Sequence, residues 1–164
     1  MDAIDLLVRQ HREMEADMKK VLEAGDDIAT QALFEKVGDQ LSTHLTSEEE
    51  VFYPAVKAKR TEDILLESLE EHLSLKRLLA DLLLLETSDK TFEPKFKVLK
   101  EQAEHHHKEE EENLFPKVKK ILDEAQRESL GKEMMALQKK LQRQGEPREA
   151  VLDQTEAAAP LTER

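Results

Sequence analysis

The chain has 164 residues and a mass of 18.9 kDa, room for one domain, so every motif it carries must share a single core. Charged residues make up 38% and aromatics 4%, with 4 Gly and no Trp, a composition that suits helices and starves β-sheets. A formal charge of −12 works against nucleic acid and anionic membrane partners, and the lack of Cys excludes disulfides, zinc–thiolate sites, iron–sulfur clusters and cysteine nucleophiles.

The start, MDAIDLLVRQHREME, has neither the basic flank nor the apolar run of a signal peptide, and no apolar stretch approaches the ~18 residues of a membrane span. A cytoplasmic protein without membrane contact is expected. A first helix is predicted from Ile4, Leu7, Val8, Met14, Met18, Val21 and Leu22, which keep the three-and-four spacing of one helical face and stop at Gly25 and Asp26. The second stripe runs Leu33, Val37, Leu41, Val51, Phe52 and Val56 and ends in the basic cluster around Lys59. The third carries Leu65, Leu69, Leu75, Leu79 and Leu82, and the fourth Phe92, Phe96, Leu99, Ala103, Leu114, Val118 and Ile121. Short connections between long helices favour antiparallel neighbours, so the expected fold is all-α, an up-down-up-down four-helix bundle over residues 1–122.

Asp123 with Gln126 has the form of a capping box and opens a fifth, accessory helix over 123–145, with Leu130, Met134, Leu137 and Leu141 as its stripe and Gly131 weakening it. Residues 146–164 carry Pro147, Pro160 and an alanine run with no apolar period, and are expected to be disordered.

The chain repeats itself. His44-Leu-Thr-Ser-Glu-Glu-Glu-Val-Phe-Tyr-Pro-Ala-Val-Lys57 aligns with the segment His106 to Lys119 with seven identities in fourteen positions, at an offset of 62 residues. An offset of 61 superposes His11 on His72 and the stripe of the first helix on that of the third. Two helical hairpins of one design result, each giving a lone His from its first helix and His-x-x-x-Glu from its second.

These polar residues occupy seats in the apolar stripes. His44 and Glu48 interrupt Leu41 and Val51, His106 and Glu110 interrupt Ala103 and Leu114, His11 lies between Val8 and Met14, and His72 between Leu69 and Leu75. Burying one ionised carboxylate without compensation costs several kcal/mol, so six ionisable groups in one bundle require a counterpart. A pair of metal ions supplies it, because His and Glu at i and i+4 project from one helical face. Four His and two Glu suit iron or manganese better than magnesium or calcium, and a carboxylate from each hairpin can bridge two ions. A lone stripe His is more often an ordinary core residue, and His-x-x-x-Glu on a charged helix is more often a surface pair. Two such motifs in register, each facing a lone His, argue against both.

Of the flanking residues, His105 and His107 sit about 100° to either side of His106, so at most one reaches the core. Glu49, Glu50, Glu109, Glu111 and Glu112 read as a solvated acidic face. Lys76, four residues after His72, is expected to cover the rim with its stem and send its ammonium to solvent. Pro54 and Pro116, each six residues after an inward Glu, predict kinks just past the metal-binding seats.

His11, His44-Leu-Thr-Ser-Glu48 followed by Phe52-Tyr53-Pro54, Glu71-His72, and His106-His-Lys-Glu-Glu110 followed by Leu114-Phe115-Pro116 together resemble the hemerythrin-like, HHE cation-binding domain family over about residues 1–145. The resemblance implies a non-haem di-iron centre, two ions per chain with iron or mixed iron and manganese, joined by bridging oxygen species. Glu48 and Glu110 would be its bridges and His11, His44, His72 and His106 its terminal ligands. Oxygen-carrying members have a further His where this chain has Lys76, so a vacant terminal position is expected, to be filled by water, hydroxide or Tyr53. This disfavours simple oxygen transport.

The function expected is therefore binding of, or reaction with, dioxygen, peroxide or nitric oxide as a sensor or protective redox protein. Turnover of excess peroxide or nitric oxide would make it an enzyme. Tight but inert iron would make it an interaction module docking through Leu130 to Leu141. A ferritin-like oxidase fits less well, since that class uses Glu-x-x-His. Small molecules rather than nucleic acid or membrane are the expected partners, with any protein partner undetermined.

Overall fold

A computed structural model describes residues 1–163. Helix α1 (Ala3–Glu23) starts where the Asp2 carboxylate accepts the Asp5 N–H at 2.9 Å, and α2 (Asp27–Ser47) where Asp26 accepts the Ala29 N–H at 2.7 Å. After α2 the chain continues through a π-helical turn (Glu48–Phe52) into α3 (Tyr53–Val56). Thr61 locks the next connection: its hydroxyl donates to the Val56 carbonyl at 2.8 Å and accepts the Ala58 N–H at 2.9 Å. Then come α4 (Glu62–Leu83), α5 (Phe92–Glu109), a second π-helical turn (Glu110–Leu114) and α6 (Phe115–Ile121).

Just before each proline the chain changes hydrogen-bond register through a π turn. Pro54 and Pro116 have no N–H for the carbonyl four residues back, and the preceding Tyr53 and Phe115 N–H groups bond instead five back, to the Glu48 and Glu110 carbonyls. Both irregular turns thus begin on the inward glutamates.

Two apolar clusters fill the bundle. One contains Leu7, Phe52, Val56, Leu65, Leu69, Leu114 and Val118, the other Met14, Leu41, Leu45, Leu75, Leu79, Phe96, Leu99 and Ala103. Following the chain, α1 and α4 pass from the first cluster to the second, whereas α2–α3 and α5–α6 pass from the second to the first. This order makes the bundle up-down-up-down. On all four the change of cluster falls at the predicted His and Glu seats, which therefore form a polar layer between two dry plugs.

Helix α7 (Glu124–Arg143) opens with both bonds of the Asp123–Gln126 capping box and packs over α1 and α2. Its buried seats are Leu130, Gly131, Met134 and Gln138, while Leu137 and Leu141 are only half-buried. Gly131 is a point of close approach: a Cβ there would lie 2.5 Å from the Met1 carbonyl oxygen, so its lack of a side chain lets α7 seat against the start of α1.

The tail departs from the expected disorder. Gly145 (φ 84) and Glu146 (φ 47) turn the chain back in left-handed conformation, and Pro147–Asp153 form a 3-10 helix against α2 and α4. Val151 enters the second apolar cluster, Ser42 donates to the Pro147 carbonyl at 2.8 Å, and Arg148 bonds Asp39. Further on, Arg77 Nε donates to the Thr155 carbonyl at 2.8 Å, and Ala158, Ala159 and Leu161 lie on the first cluster. A single buried valine and backbone acceptors leave no periodicity for a sequence reading to find. Arg164 of the tail lies outside the described residues. Among the described residues no helix is long and apolar enough to cross a membrane.

Candidate metal centre

The structure brings all six predicted residues together, none more than 2% exposed. They form two overlapping groups, His11–His44–Glu48–Glu110 and Glu48–His72–His106–Glu110, and within each group one ligand atom per residue lies within 4.8 Å of every other. Both glutamates belong to both groups. His11 Nε2 lies 3.1 Å from Glu110 Oε1, His44 Nε2 3.4 Å and His72 Nε2 3.2 Å from Glu48 Oε1, and His106 Nε2 3.6 Å from Glu110 Oε2.

Each imidazole is held from behind. Nδ1 of His11 bonds Glu111 at 2.7 Å, that of His72 bonds Glu49 at 2.8 Å, that of His106 bonds Glu71 at 2.8 Å, and that of His44 bonds Gln10 Oε1 at 2.9 Å. Acceptors at Nδ1 place the ring proton there and turn the Nε2 lone pair inward. The acidic neighbours are thus not only a solvated face: Glu49 and Glu111, equivalent in the repeat, each hold the lone His of the opposite hairpin. Burial opposes the charge on Glu49 and on Glu71, but the bonds from His72 and Lys76 to the first and from His106 to the second hold both below the usual carboxylate range.

Whether a cation belongs in this layer is answered by its chemistry. His11 Nε2, His44 Nε2, both oxygens of Glu48 and Oε1 of Glu110 are buried without a hydrogen-bond partner. His72 Nε2 and His106 Nε2 face each other at 3.2 Å. The inward-facing groups named here are acceptors, with one donor among them, the Tyr53 hydroxyl, which donates a hydrogen bond to Glu110 Oε2 at 2.6 Å. Leaving so many buried acceptors unmet costs about 1–3 kcal/mol each, and metal ions would satisfy them together. The residues fit such a group.

Without a cation the layer is electrostatically frustrated. Burial, and then the charge of Glu110, push the Glu48 carboxyl well above its ordinary range. Burial also works against Glu110, but Glu48, His11 and His106 hold it well below its ordinary range, so the two glutamates are pushed in opposite directions. Burial lowers His44 and His72, leaving their imidazoles neutral and ready to ligate. Burial opposes the proton on His106 too, yet Glu71 raises it.

Of the other neighbours, Lys76 differs from expectation, while His105 and His107 agree with it. Lys76 is buried, and its ammonium goes to Glu49 Oε1 at 2.9 Å instead of solvent. Tyr53 is wholly buried, its hydroxyl 3.2 Å from His72 Nε2, and burial followed by the nearby glutamates keeps it a phenol. His105 is exposed, whereas His107 is buried, stacks on His11 with ring centroids 4.0 Å apart, and bonds Glu15 at 2.8 Å. Burial pushes His107 down to about 4. Arg12 ties the Glu15 and Glu111 carboxylates together at the surface.

Sequence reasoning missed Gln10, Glu15, Glu49, Glu71 and Glu111. The signal was present in the repeat, because offsets of 61 and 62 pair Gln10 with Glu71 and Glu49 with Glu111.

Known proteins share the fold and identify the family. A hemerythrin HHE cation-binding domain-containing protein of Mycobacterium kansasii has the same fold, with a TM-score of 0.78 and 24% identity over 93% of this chain and 98% of that one. A protein of Nostoc sp. named a DNA nickase is 26% identical over 142 residues, which are 87% of this chain but 40% of that protein, so the chain spans less than half the relative's length. The hemerythrin HHE cation-binding domain model matches residues 2–118, and the chain belongs to that family.

Proposed function

We propose that the protein holds two iron ions, His11 and His44 serving one, His72 and His106 the other, with Glu48 and Glu110 shared, and that this centre reacts with dioxygen, peroxide or nitric oxide in a protective or sensing role. The observation that supports this best is the pair of buried ligand groups that have both glutamates in common, with acceptor atoms of His11, His44, Glu48 and Glu110 left unpartnered. Iron would supply a redox-active Lewis acid for small oxidants. The chain's own contribution is to fix four imidazole orientations through their Nδ1 partners, to exclude water with the two apolar plugs, and to keep a proton on the Tyr53 oxygen 2.6 Å from Glu110.

The buried Lys76–Glu49 pair and the Tyr53 hydroxyl beside His72 favour reaction over reversible oxygen carriage, since the oxygen carriers the chain resembles have a histidine in place of Lys76. The net charge of −12 favours small molecules over nucleic acid as partners. Metal analysis of protein reconstituted with iron(II) without air, then exposed to air or peroxide and followed by absorption, tests the reading. Two irons per chain, spectral change on oxidation and consumption of excess peroxide are expected. One ion or none would refute the paired centre, and two inert ions would favour an interaction module.

A further inference from the structure

The internal repeat relates Gln10 to Glu71 and His44 to His106. In the second hairpin the Glu71 carboxylate takes Nδ1 of His106 at 2.8 Å, while in the first an amide, Gln10 Oε1, takes Nδ1 of His44 at 2.9 Å. Among the four Nδ1 partners Gln10 alone carries no charge, and it bonds Gln138 of α7, a helix lying outside the repeat.

Gln138 explains the amide. It follows Leu130 and Met134 in the buried stripe of α7 and is 6% exposed, a polar residue in an apolar seat. Gln10 Nε2 donates to Gln138 Oε1 at 2.7 Å, and Gln138 Nε2 donates back to Gln10 Oε1 at 3.1 Å. The same Nε2 also donates to Ser47 Oγ at 2.9 Å, whose hydroxyl donates to the His44 carbonyl at 2.9 Å. Every donor in this ring meets an acceptor, and turning either amide over would set like against like. A carboxylate in place of Gln10 could not give Gln138 Oε1 a proton. α7 thereby fixes the orientation of the one imidazole whose outer partner carries no charge, and an amide strengthens a ligand imidazole less than a carboxylate does.

We propose that Gln138, acting through Gln10, is a positioning residue for His44 that couples docking of α7 to metal retention by the His11–His44 half of the centre, and that this half is the weaker of the two. The inference rests on the paired-metal reading above.

The test uses full-length protein loaded with iron(II) and challenged without air by excess EDTA. Wild type should lose its two ions in two phases of equal amplitude. Gln138→Leu, which fits the apolar seat, should speed the fast phase about tenfold or more, the usual effect of losing a ligand's outer partner, and leave the slow phase nearly unchanged. Gln10→Met breaks the link from α1 and should act alike if Gln138→Leu folds poorly. In metal-free protein, ring ¹⁵N shifts should show His44 protonated at Nδ1 in wild type and a mixture of tautomers in either variant, with His106 unaltered. Equal acceleration of both phases, no acceleration, or an unchanged His44 tautomer would overturn the proposal. A wild type that takes up no metal refutes the paired-metal reading and the retention half with it, while the tautomer still decides the positioning half.

Discussion

The ammonium of Lys76 stands 2.9 Å from one oxygen of Glu49, whose other oxygen takes Nδ1 of His72 at 2.8 Å. Lys76 therefore bears on the centre as the counter-charge of the carboxylate that orients His72. Lys76→Met keeps the stem and removes the charge, leaving Glu49 to choose between solvent and His72. Iron affinity measured against a competing chelator is expected to fall about tenfold. Unchanged affinity would mean that Glu49 orients His72 unaided.

Tyr53 is the one inward donor in a layer of acceptors, and Phe would preserve its packing against Phe52 and His72 while deleting that donor. A hydrogen bond to a charged group contributes about 1.5–3 kcal/mol, so metal-free Tyr53→Phe should melt lower by roughly 3–12 °C for a chain of this size. Calorimetry of the metal-free forms checks this. An unchanged melting temperature would mean that the Tyr53 hydrogen bond to Glu110 adds nothing to stability.

The bundle and its six inward residues were legible because both are periodic. Hydrophobic spacing fixes the faces, and His11, His44, Glu48, His72, His106 and Glu110 break it at matched places in the repeat. The outer partners were hidden because Glu49 and Glu111 stand one residue after Glu48 and Glu110, at helix positions that spacing alone assigns to solvent, and only the approach of a neighbouring helix encloses them. Gln138 was hidden in another way. The stripe on α7 was drawn through the apolar Leu137 and Leu141, although Leu130 and Met134 lead by steps of four to Gln138. The tail escaped because one side chain, Val151, and a left-handed turn at Gly145 and Glu146 order it without any repeat.

Asp17 gives a pH test away from the centre. Burial disfavours its charge, but Gln40 at 2.9 Å, Lys36 at 3.3 Å and Lys20 at 3.5 Å more than offset this and lower its pKa. A carboxylate whose folded value lies below its unfolded one, near 3.9, stabilises fully above that value and loses the contribution as pH falls through the folded value. Wild type should therefore be more stable than Asp17→Asn at pH 7, and the gap should close as pH drops below about 4. Denaturant titrations across that range check the sign. A gap that persists in acid would assign the effect to packing.

Glu48→Gln should move the metal-free and metal-loaded proteins in opposite directions. In the metal-free protein both Glu48 oxygens are unpartnered, and burial beside Glu110 raises the carboxyl above its unfolded value, so its ionisation opposes folding at pH values above that unfolded value. Gln removes that linkage and brings donors into a layer of acceptors. The metal-free variant should thus melt higher by about 2–4 °C per kcal/mol recovered, with about 1 kcal/mol expected. With iron the order reverses. The amide cannot replace a shared anionic oxygen, so the rise in melting temperature that bound metal gives to wild type should shrink or vanish. Paired melts of both proteins with and without iron(II) decide the matter. A variant that is less stable in both states would make Glu48 a structural residue, and one that gains as much from iron as wild type would remove it from the ligand set.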